Sequence, residues 1–483
     1  MLRSDGRLRG GEAVRLTGCR EHEKEGRARP EVIEENAKTA EKTPTTRILD
    51  RRGESFTLRR CHRYRLYPTK KQETILLEQM ELCRRLYNKA LWKRKGIYER
   101  AGKHVSYAEQ GRWLPGLKKE IPAYAAISSG VLENVLKRVD LAFRGFFRRV
   151  KAKENPGYPR AKGAGACKSL TVSRSREFKL VWDGEGRFGR LSFKSLSGLR
   201  VRMHRPFPEN AAVRRVTIKR EGSGRWYAIF GWDIKGYEAP EHPRSEESVG
   251  LHPGLVAYLS TDGGEVYAPH ETFERHRRNL AGRQRLLSRK KKGSRRREKA
   301  RILAAKQHEK LRDSRKDRLH KLSRELVDRY GRIFVNRFDV RGMVSNDGFK
   351  HLKARVSDAA WSELLCMLRF KAEKAGSVYV EVEAKNAAQE CSGCGEVVHK
   401  DLSVRVHSCQ QCGLKVPRGV NAARNAKKRA VLALRGGNRV AGPEEPRTSY
   451  SPTAPKPTPP VLERGSREQS MQLHEDAVVF RHD

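Results

Sequence analysis

Apolar positions in this chain recur every second residue in some stretches and with the 3.6-residue helical period in others, and the switches between the two mark its elements. Cys61 to Tyr67 alternates Arg, Tyr and Leu as a strand does, and Thr69 with Gln72 forms the capping box of the helix that follows Pro68. Along that helix Ile75, Leu76, Leu82, Cys83, Leu86, Tyr87 and Leu91 recur at helical spacing. Arg84, Arg85, Lys89, Lys93 and Arg94 occupy its other faces. A second basic helix spans Ser128 to Val150, with Val131, Val135, Val139, Leu141 and Phe146 on the side expected to be buried. Both helices are therefore expected to turn cations toward a phosphate backbone.

From about 168 to 236 the pattern shortens to β segments. Arg214 to Lys219 and Arg225 to Trp232, joined by the turn Glu221-Gly222-Ser223-Gly224, suggest a small barrel or sandwich. Ser248 to His252 and Leu255 to Ser260 read as a further hairpin pair, closed by Asp262-Gly263-Gly264. Phe273 to Tyr330 reads as two long helices interrupted at Gly293-Ser294, followed by a strand at Ile333 to Val335. A helix from about Ser357 to Ala375 carries Trp361, Leu364, Leu365, Leu368 and Ala372 on its buried face, Gly376 is suited to end it, and Val378, Val380 and Val382 alternate as a strand. Residues 1–55 and those beyond about 433, with the run Pro452 to Pro460, lack this periodicity and are expected to be disordered, because they cannot bury enough surface to offset ordering entropy.

Charge adds a partner to this picture. Lysine and arginine number 104 against 57 acidic residues in 483, a formal charge of +47. A compact chain tolerates that imbalance poorly without a polyanion, most simply nucleic acid, the bland alternative being a ribosomal-type or merely arginine-rich chain. The cations expected to meet phosphates are Arg84, Arg85, Arg148, Arg149, Arg160 and Arg205, together with the dense run Arg283, Arg289, Lys290, Lys291, Lys292, Arg295 and Arg296. The first fifty residues hold no apolar leader and no run of roughly 18 apolar residues occurs, so no membrane partner is expected and the cytoplasm, with the nucleoid, is the expected place of action.

Of nine cysteines, four form Cys391-x2-Cys394 and Cys409-x2-Cys412, fourteen residues apart. Two such thiolate pairs converge tetrahedrally on Zn²⁺, and a closed four-sulfur shell leaves no position for a catalytic water, so the zinc is expected to be structural. Adventitious pairs or a redox dithiol are the alternatives. Gly393 and Gly413 are expected to relieve crowding in the two knuckles, and His407 to be a solvated or neighbouring group rather than a ligand. Cys19, Cys61, Cys83, Cys167 and Cys366 are scattered singly, unlike a secreted disulfide framework.

Several ordered segments resemble the transposon-encoded TnpB (OrfB) family. They are Arg63-Tyr64-Arg65-Leu66-Tyr67-Pro68-Thr69, Gly157-Tyr158-Pro159-Arg160, Val201-Arg202-Met203-His204-Arg205-Pro206, Leu287 to Ser294, His320-Lys321-Leu322-Ser323 and Val420-Asn421-Ala422-Ala423-Arg424-Asn425. With the cysteines they cover about residues 58 to 430 in family order. The resemblance implies a mixed α/β multidomain fold, with a wedge-like β-barrel (56–68 and 165–245) interrupted by a helical recognition domain (69–164). An RNase H-like RuvC domain (246–383) with a basic hairpin (271–330), a zinc ribbon (384–415) and a last RuvC helix (416–432) follow, before the tail (433–483). It also implies a guide RNA and a double-stranded target DNA as partners, read by base pairing and cut by RuvC; the oligomeric state is not implied.

RuvC cleavage needs about three carboxylates to hold two Mg²⁺ ions. The family's Gly-Ile-Asp-x-Gly reads Gly250-Leu251-His252-Pro253-Gly254 here, its Val-Glu reads Val335-Asn336, and its third acid, before x-Asn-Ala-Ala, is replaced at Gly419. Imidazole prefers softer metals, an amide carries no charge and glycine offers no ligand, so Mg²⁺ is not expected to bind. Asp262, Asp339 and Asp347 are the carboxylates near enough in sequence to act as displaced substitutes. The leading expectation is an RNA-guided DNA-binding protein that does not cut, as a transcriptional repressor or accessory factor. A decaying transposon relic, an active RNA-guided endonuclease and a miniature type V CRISPR effector are the competing readings.

Overall fold

The computed structural model describes residues 46–435 apart from 209–210, 269–270, 341–342, 344–354, 357–358 and 402. Strand β1 (Arg47–Leu49) and the long β2 (Ser55–Tyr67) precede three helices, α1 (Lys70–Ala101), α2 (Tyr107–Glu120) and α3 (Ser129–Lys151). Six strands follow: β3 (Ser169–Val172), β4 (Phe178–Val181), β5 (Phe188–Phe193), β6 (Leu196–Arg202), β7 (Ala211–Arg220) and β8 (Trp226–Glu238). Pairing runs β3-β7-β8-β2-β6-β5-β4, antiparallel throughout, with register shifts at Phe56/Leu58 and Val213/Arg215 that add the twist a nearly closed, barrel-like sheet needs. Alternation decides its faces. Tyr64, Leu66, Val201, Ile218, Ala228 and Phe230 point inward and join one core with Leu76, Leu91, Leu132 and Leu136 of the helices, so the helical insert and the barrel share their apolar interior.

The helices start where their caps predict. Thr69 and Ser106 both close capping boxes, and α1 ends on Gly102 at φ 60°, whose amide donates to the Tyr98 carbonyl. Helix α2, with Gly111, Pro115 and Gly116 inside it, hides its period from a pattern reading and was not among the expected elements. Two side-chain expectations are corrected here. Leu141 is 54% exposed and Asp140 takes the inward position, because the helical turn that buries Val139 and Phe143 brings Asp140 against Arg94. Arg94, expected on an open face, is 5% exposed for the same reason.

The second sheet gathers β9 (Ser248–Pro253), β10 (Leu259–Thr261), β11 (Val266–Tyr267), β12 (Arg332–Arg337) and β13 (Val378–Glu383) in the order β1-β13-β12-β9-β10-β11. β9, β12 and β13 are parallel and the rest antiparallel. Between β11 and β12 lie α4 (Glu271–Ser288) and α5 (Arg295–Arg329); α6 (Trp361–Ala375) connects β12 to β13, and α7 (Arg418–Arg435) follows the short pair β14 (Val406–Ser408) and β15 (Lys415–Pro417). Ile333 and Val335 pack on α5 and α6, whereas Phe334, Val380 and Val382 pack on Ala426 and Ala430 of α7, giving three layers from simple alternation along nearly continuous apolar strands. The second hairpin strand begins at Leu259 rather than Leu255, since Gly254 to Tyr258 forms the turn, and α6 begins at Trp361 because Ala360 is left-handed at φ 52°. No helix among the described residues is long and apolar enough to cross a membrane.

The expectation of disorder through residue 55 and from 433 is corrected at both inner edges: α7 runs to Arg435, and β1 pairs with β13, burying Ile48 and Leu49. Two apolar residues suffice when a neighbouring strand supplies the hydrogen bonds. Residues 1–45, with Cys19, and 436–483, with Gly436, Gly437 and the proline run, lie outside the described residues. Compared with a chain starting at residue 46, one starting at residue 55 should lose about 2–4 kcal/mol of apolar burial and about 2–5 °C in Tm by scanning calorimetry, and equal Tm values would show β1 to be dispensable.

Candidate metal centre and nucleic-acid interface

Residues 387–417 build two equivalent knuckles. In the first, the Cys391 amide donates to Glu396 O and the Gly395 amide to Cys391 O; in the second, Cys409 donates to Leu414 O and Gly413 to Cys409 O. The turns demand positive φ at Gly395 (89°) and Gly413 (71°), whereas Gly393 is needed for space, a Cβ there lying 3.2 Å from Cys412 Sγ. The four cysteines converge, their sulfurs all within 4.8 Å, with Cys391 to Cys412 at 3.5 Å and Cys394 to Cys409 at 3.6 Å. A tetrahedral ion with bonds of ~2.3 Å sets edges of about 3.8 Å, so this donor set fits a soft four-coordinate cation such as zinc. Burial opposes ionisation of Cys391, but donors from the Cys394 amide, His407 and the Gly393 amide bring its pKa down to about 6.

His407 is fully buried, not solvated, with Nδ1 against Lys400 Nζ. The motif around 421 has a mechanical role that pattern reading missed. Asn421 Oδ1 accepts from the Ser392 amide at 2.9 Å, and Asn421 and Asn425, one turn apart on α7, both donate to Glu390 O at 2.7 Å. Spacing of four residues on a helix was the signal available for this clamp.

At the sheet end, His252 is the penultimate residue of β9, Asn336 that of the adjacent β12, and Gly419 the second residue of α7. Asn336, fully buried, donates through Nδ2 to Ala422 O at 2.7 Å and to His252 Nδ1 at 3.1 Å, which puts the imidazole proton on Nε2. Phe338 meets the His252 ring edge-on at 5.3 Å. Burial, helped by Arg418, pushes the His252 pKa down to about 4, so the ring is neutral near pH 7. A Cβ at Gly419 would stand 2.4 Å from Ser260 Oγ. Asp262 is engaged elsewhere, accepting from the Gly250 amide at 2.9 Å and pairing with Lys427 at 2.9 Å. Asp339 follows β12, and Asp347 lies outside the described residues. Among the described residues, the cysteine cluster is the single group of His, Cys, Asp or Glu spaced to hold a metal.

The cations do not form one surface. Arg283 and Arg289 line a groove of about 680 Å³ between α4 and α5, together with Arg278, Arg285 and Lys310. Lys290, Lys291, Lys292, Arg295 and Arg296 are exposed at the turn above it, which Arg297 pins by donating to Leu287 O and Lys290 O. Arg85, Arg148, Arg160 and Arg205 are exposed on α1, α3 and the loops before β3 and β7. Arg84 and Arg149 use donors internally, Arg84 toward Glu81 and Lys162 O, Arg149 toward Pro156 O and Gly157 O.

A protein of Streptomyces pristinaespiralis described as an RNA-guided DNA endonuclease is 33% identical over 76% of this chain and 88% of its own length. The chain belongs to the TnpB (OrfB) family. A second TnpB relative, InsQ of Escherichia coli K12, carries the same description and is 27% identical over 77% of this chain and 92% of its own. The OrfB_IS605 probable-transposase model matches residues 233–347, its helix-turn-helix model 58–103, and a Cas12f1-like TNB-domain model 361–426. The last span contains the four cysteines and the Asn421–Asn425 clamp, while 58–103 folds here as most of β2 and the single helix α1. Fold likeness extends to a solved Cas12f1–sgRNA–target DNA complex, at 13% identity and TM-score 0.50 over 74% of this chain and 83% of that one.

Proposed function

We propose that this TnpB-family protein is guided by an RNA to double-stranded DNA and occupies it without cutting, as a transcriptional repressor or accessory factor. The observation that carries this reading is the His252–Asn336 hydrogen bond at the sheet end, where a nuclease would need carboxylates. A neutral imidazole and an amide already bonded to each other and to Ala422 O supply no negative charge for Mg²⁺. The third position is filled as well, since Ser260 takes the space that an Asp at 419 would need. A closed, hydrogen-bonded junction also favours a maintained binder over a decaying relic.

Guidance by RNA is supported by the descriptions of both relatives and by the +47 charge. In this reading the barrel (56–68 and 165–245) is the wedge and 69–164 the recognition domain. Residues 246–383 and 416–432 form the RuvC-like body, and 384–415 the zinc ribbon. The cations at 283–296 follow the nucleic-acid backbone in company with Arg84, Arg85, Arg148, Arg149, Arg160 and Arg205, and the ribbon's zinc is structural.

Protein purified with its bound RNA, challenged with DNA matching that RNA in Mg²⁺ or Mn²⁺, should retain the duplex and yield no product. Cut DNA would restore the active endonuclease of the relatives' description, and protein that carries no RNA would remove the guide.

A further inference from the structure

A buried histidine lies behind the four sulfurs, and burying an imidazole costs free energy unless both ring nitrogens find partners. His407 is the middle residue of β14, opposite Val416 of β15, and the alternation that exposes Val406 and Ser408 turns its ring inward until none of it is exposed. Lys400 Nζ meets its Nδ1. An ammonium has no lone pair to offer, so Nδ1 accepts that hydrogen bond and the ring proton sits on Nε2. Nε2 has no nitrogen or oxygen partner among the described residues. What the His407 side chain does reach is Cys391, to which it hydrogen-bonds.

The four sulfurs divide by environment. Cys394 and Cys412 are exposed, whereas Cys391 and Cys409 are buried. Four thiolates around a divalent cation leave a net negative charge. Water solvates that charge at the exposed pair, but protein donors must do so at the buried pair, because an unsolvated charge in the interior is costly. Burial and Arg418 push the Lys400 pKa down while Cys391 and Cys409 pull it up, so the Lys400 ammonium stands close to the same two buried sulfurs. We propose that Lys400 and His407 form a relay serving the buried side of the metal centre, in which Lys400 fixes the imidazole tautomer and His407 Nε2–H donates to the Cys391 thiolate. His407 is then a positioning residue for the metal and not a ligand. The relay rests on the zinc reading of the cluster. Outer donors of this kind orient a ligand and stabilise its charged form, which holds Cys391 against exchange with a competing chelator.

The full chain is loaded with Co²⁺, whose thiolate charge-transfer band reports on the sulfurs, and separately with Zn²⁺, whose release to excess chelator is timed. His407→Phe keeps the ring and removes the donor; it should release zinc about tenfold faster or more and move the band to longer wavelength, because a thiolate without its donor holds its electrons less tightly. His407→Gln carries an amide nitrogen as far out as Nε2 and should return both readouts toward the parent's. Lys400→Glu reverses the relay: its carboxylate accepts from Nδ1–H and leaves Nε2 as an acceptor facing the sulfur, so release should quicken at least as much as in His407→Phe. Lys400 is only partly buried, so this variant reads the relay even where His407→Phe disturbs packing. Parental release rates and band positions in His407→Phe and Lys400→Glu would overturn the relay. Equal losses in His407→Gln and His407→Phe would reduce His407 to packing and overturn it as well. A parent that takes up neither ion removes the metal reading and the relay together, whereas a loaded parent with unresponsive variants removes the relay alone.

Discussion

Cys409→Ser is expected to abolish metal binding by the four-sulfur cluster and to melt the segment around it. Cys409 is 2% exposed and shares a 3.6 Å contact with Cys394, so its loss opens the shell from the buried side. Its own strand pairing is slight, since β14 and β15 pair over three residues and a single bridge joins Glu390 to Val397, so most of its support comes from α7. Structural zinc contributes roughly 10–16 kcal/mol in isolated finger peptides, far more than such a short ladder supplies. Because Asn421 and Asn425 grip Glu390, α7 should fray with the knuckle. Metal analysis and limited proteolysis between 391 and 412 read the effect. A chelator should reproduce it in the parent, with recovery on adding zinc, and a serine variant that keeps zinc at parental affinity would reject the four-sulfur site.

Asp140→Ala should destabilise the helical insert by about 3–5 kcal/mol, because it leaves Arg94 buried without its carboxylate, and Arg94→Ala should cost less, because Asp140 keeps Arg144 at 2.8 Å. The Arg94 side chain is 4% exposed and that of Asp140 12%, with 3.3 Å between Nη1 and Oδ1, and Arg94 also donates to Gln110 at 2.6 Å. Burial pushes the Arg94 pKa down and Asp140 pulls it back up, while arginine stays charged in either case. The double variant Arg94→Met, Asp140→Leu should recover most of the loss, since it removes both charges and fills their space. Thermal unfolding and RNA titration separate this role from phosphate binding. A variant at Arg94 that lowers the salt slope of RNA binding and leaves Tm unchanged would make it a backbone ligand instead.

These two sites differ in how legible they were. The cysteine pairs are local, each knuckle closing within six residues, so spacing alone fixed where the sulfurs meet. Arg94 shares helix α1 with Arg84, Arg85, Lys89 and Lys93, and a helix that carries cations all round does not say which of them its neighbours will cover. The same ambiguity let Leu141 stand for Asp140 on α3.

By itself the chain determined its caps, its strand and helix periods, its metal knuckles and the absence of acids at 252, 336 and 419, because each depends on residues a few positions apart. Tertiary structure alone decided that β1 completes a sheet edge, that Asp140 draws Arg94 into the core, and that Asn336 bonds to His252 across 84 residues of sequence. The physical reason is that burial and hydrogen-bond partners are set by which surfaces meet, and a periodic pattern states only which surfaces are available to meet.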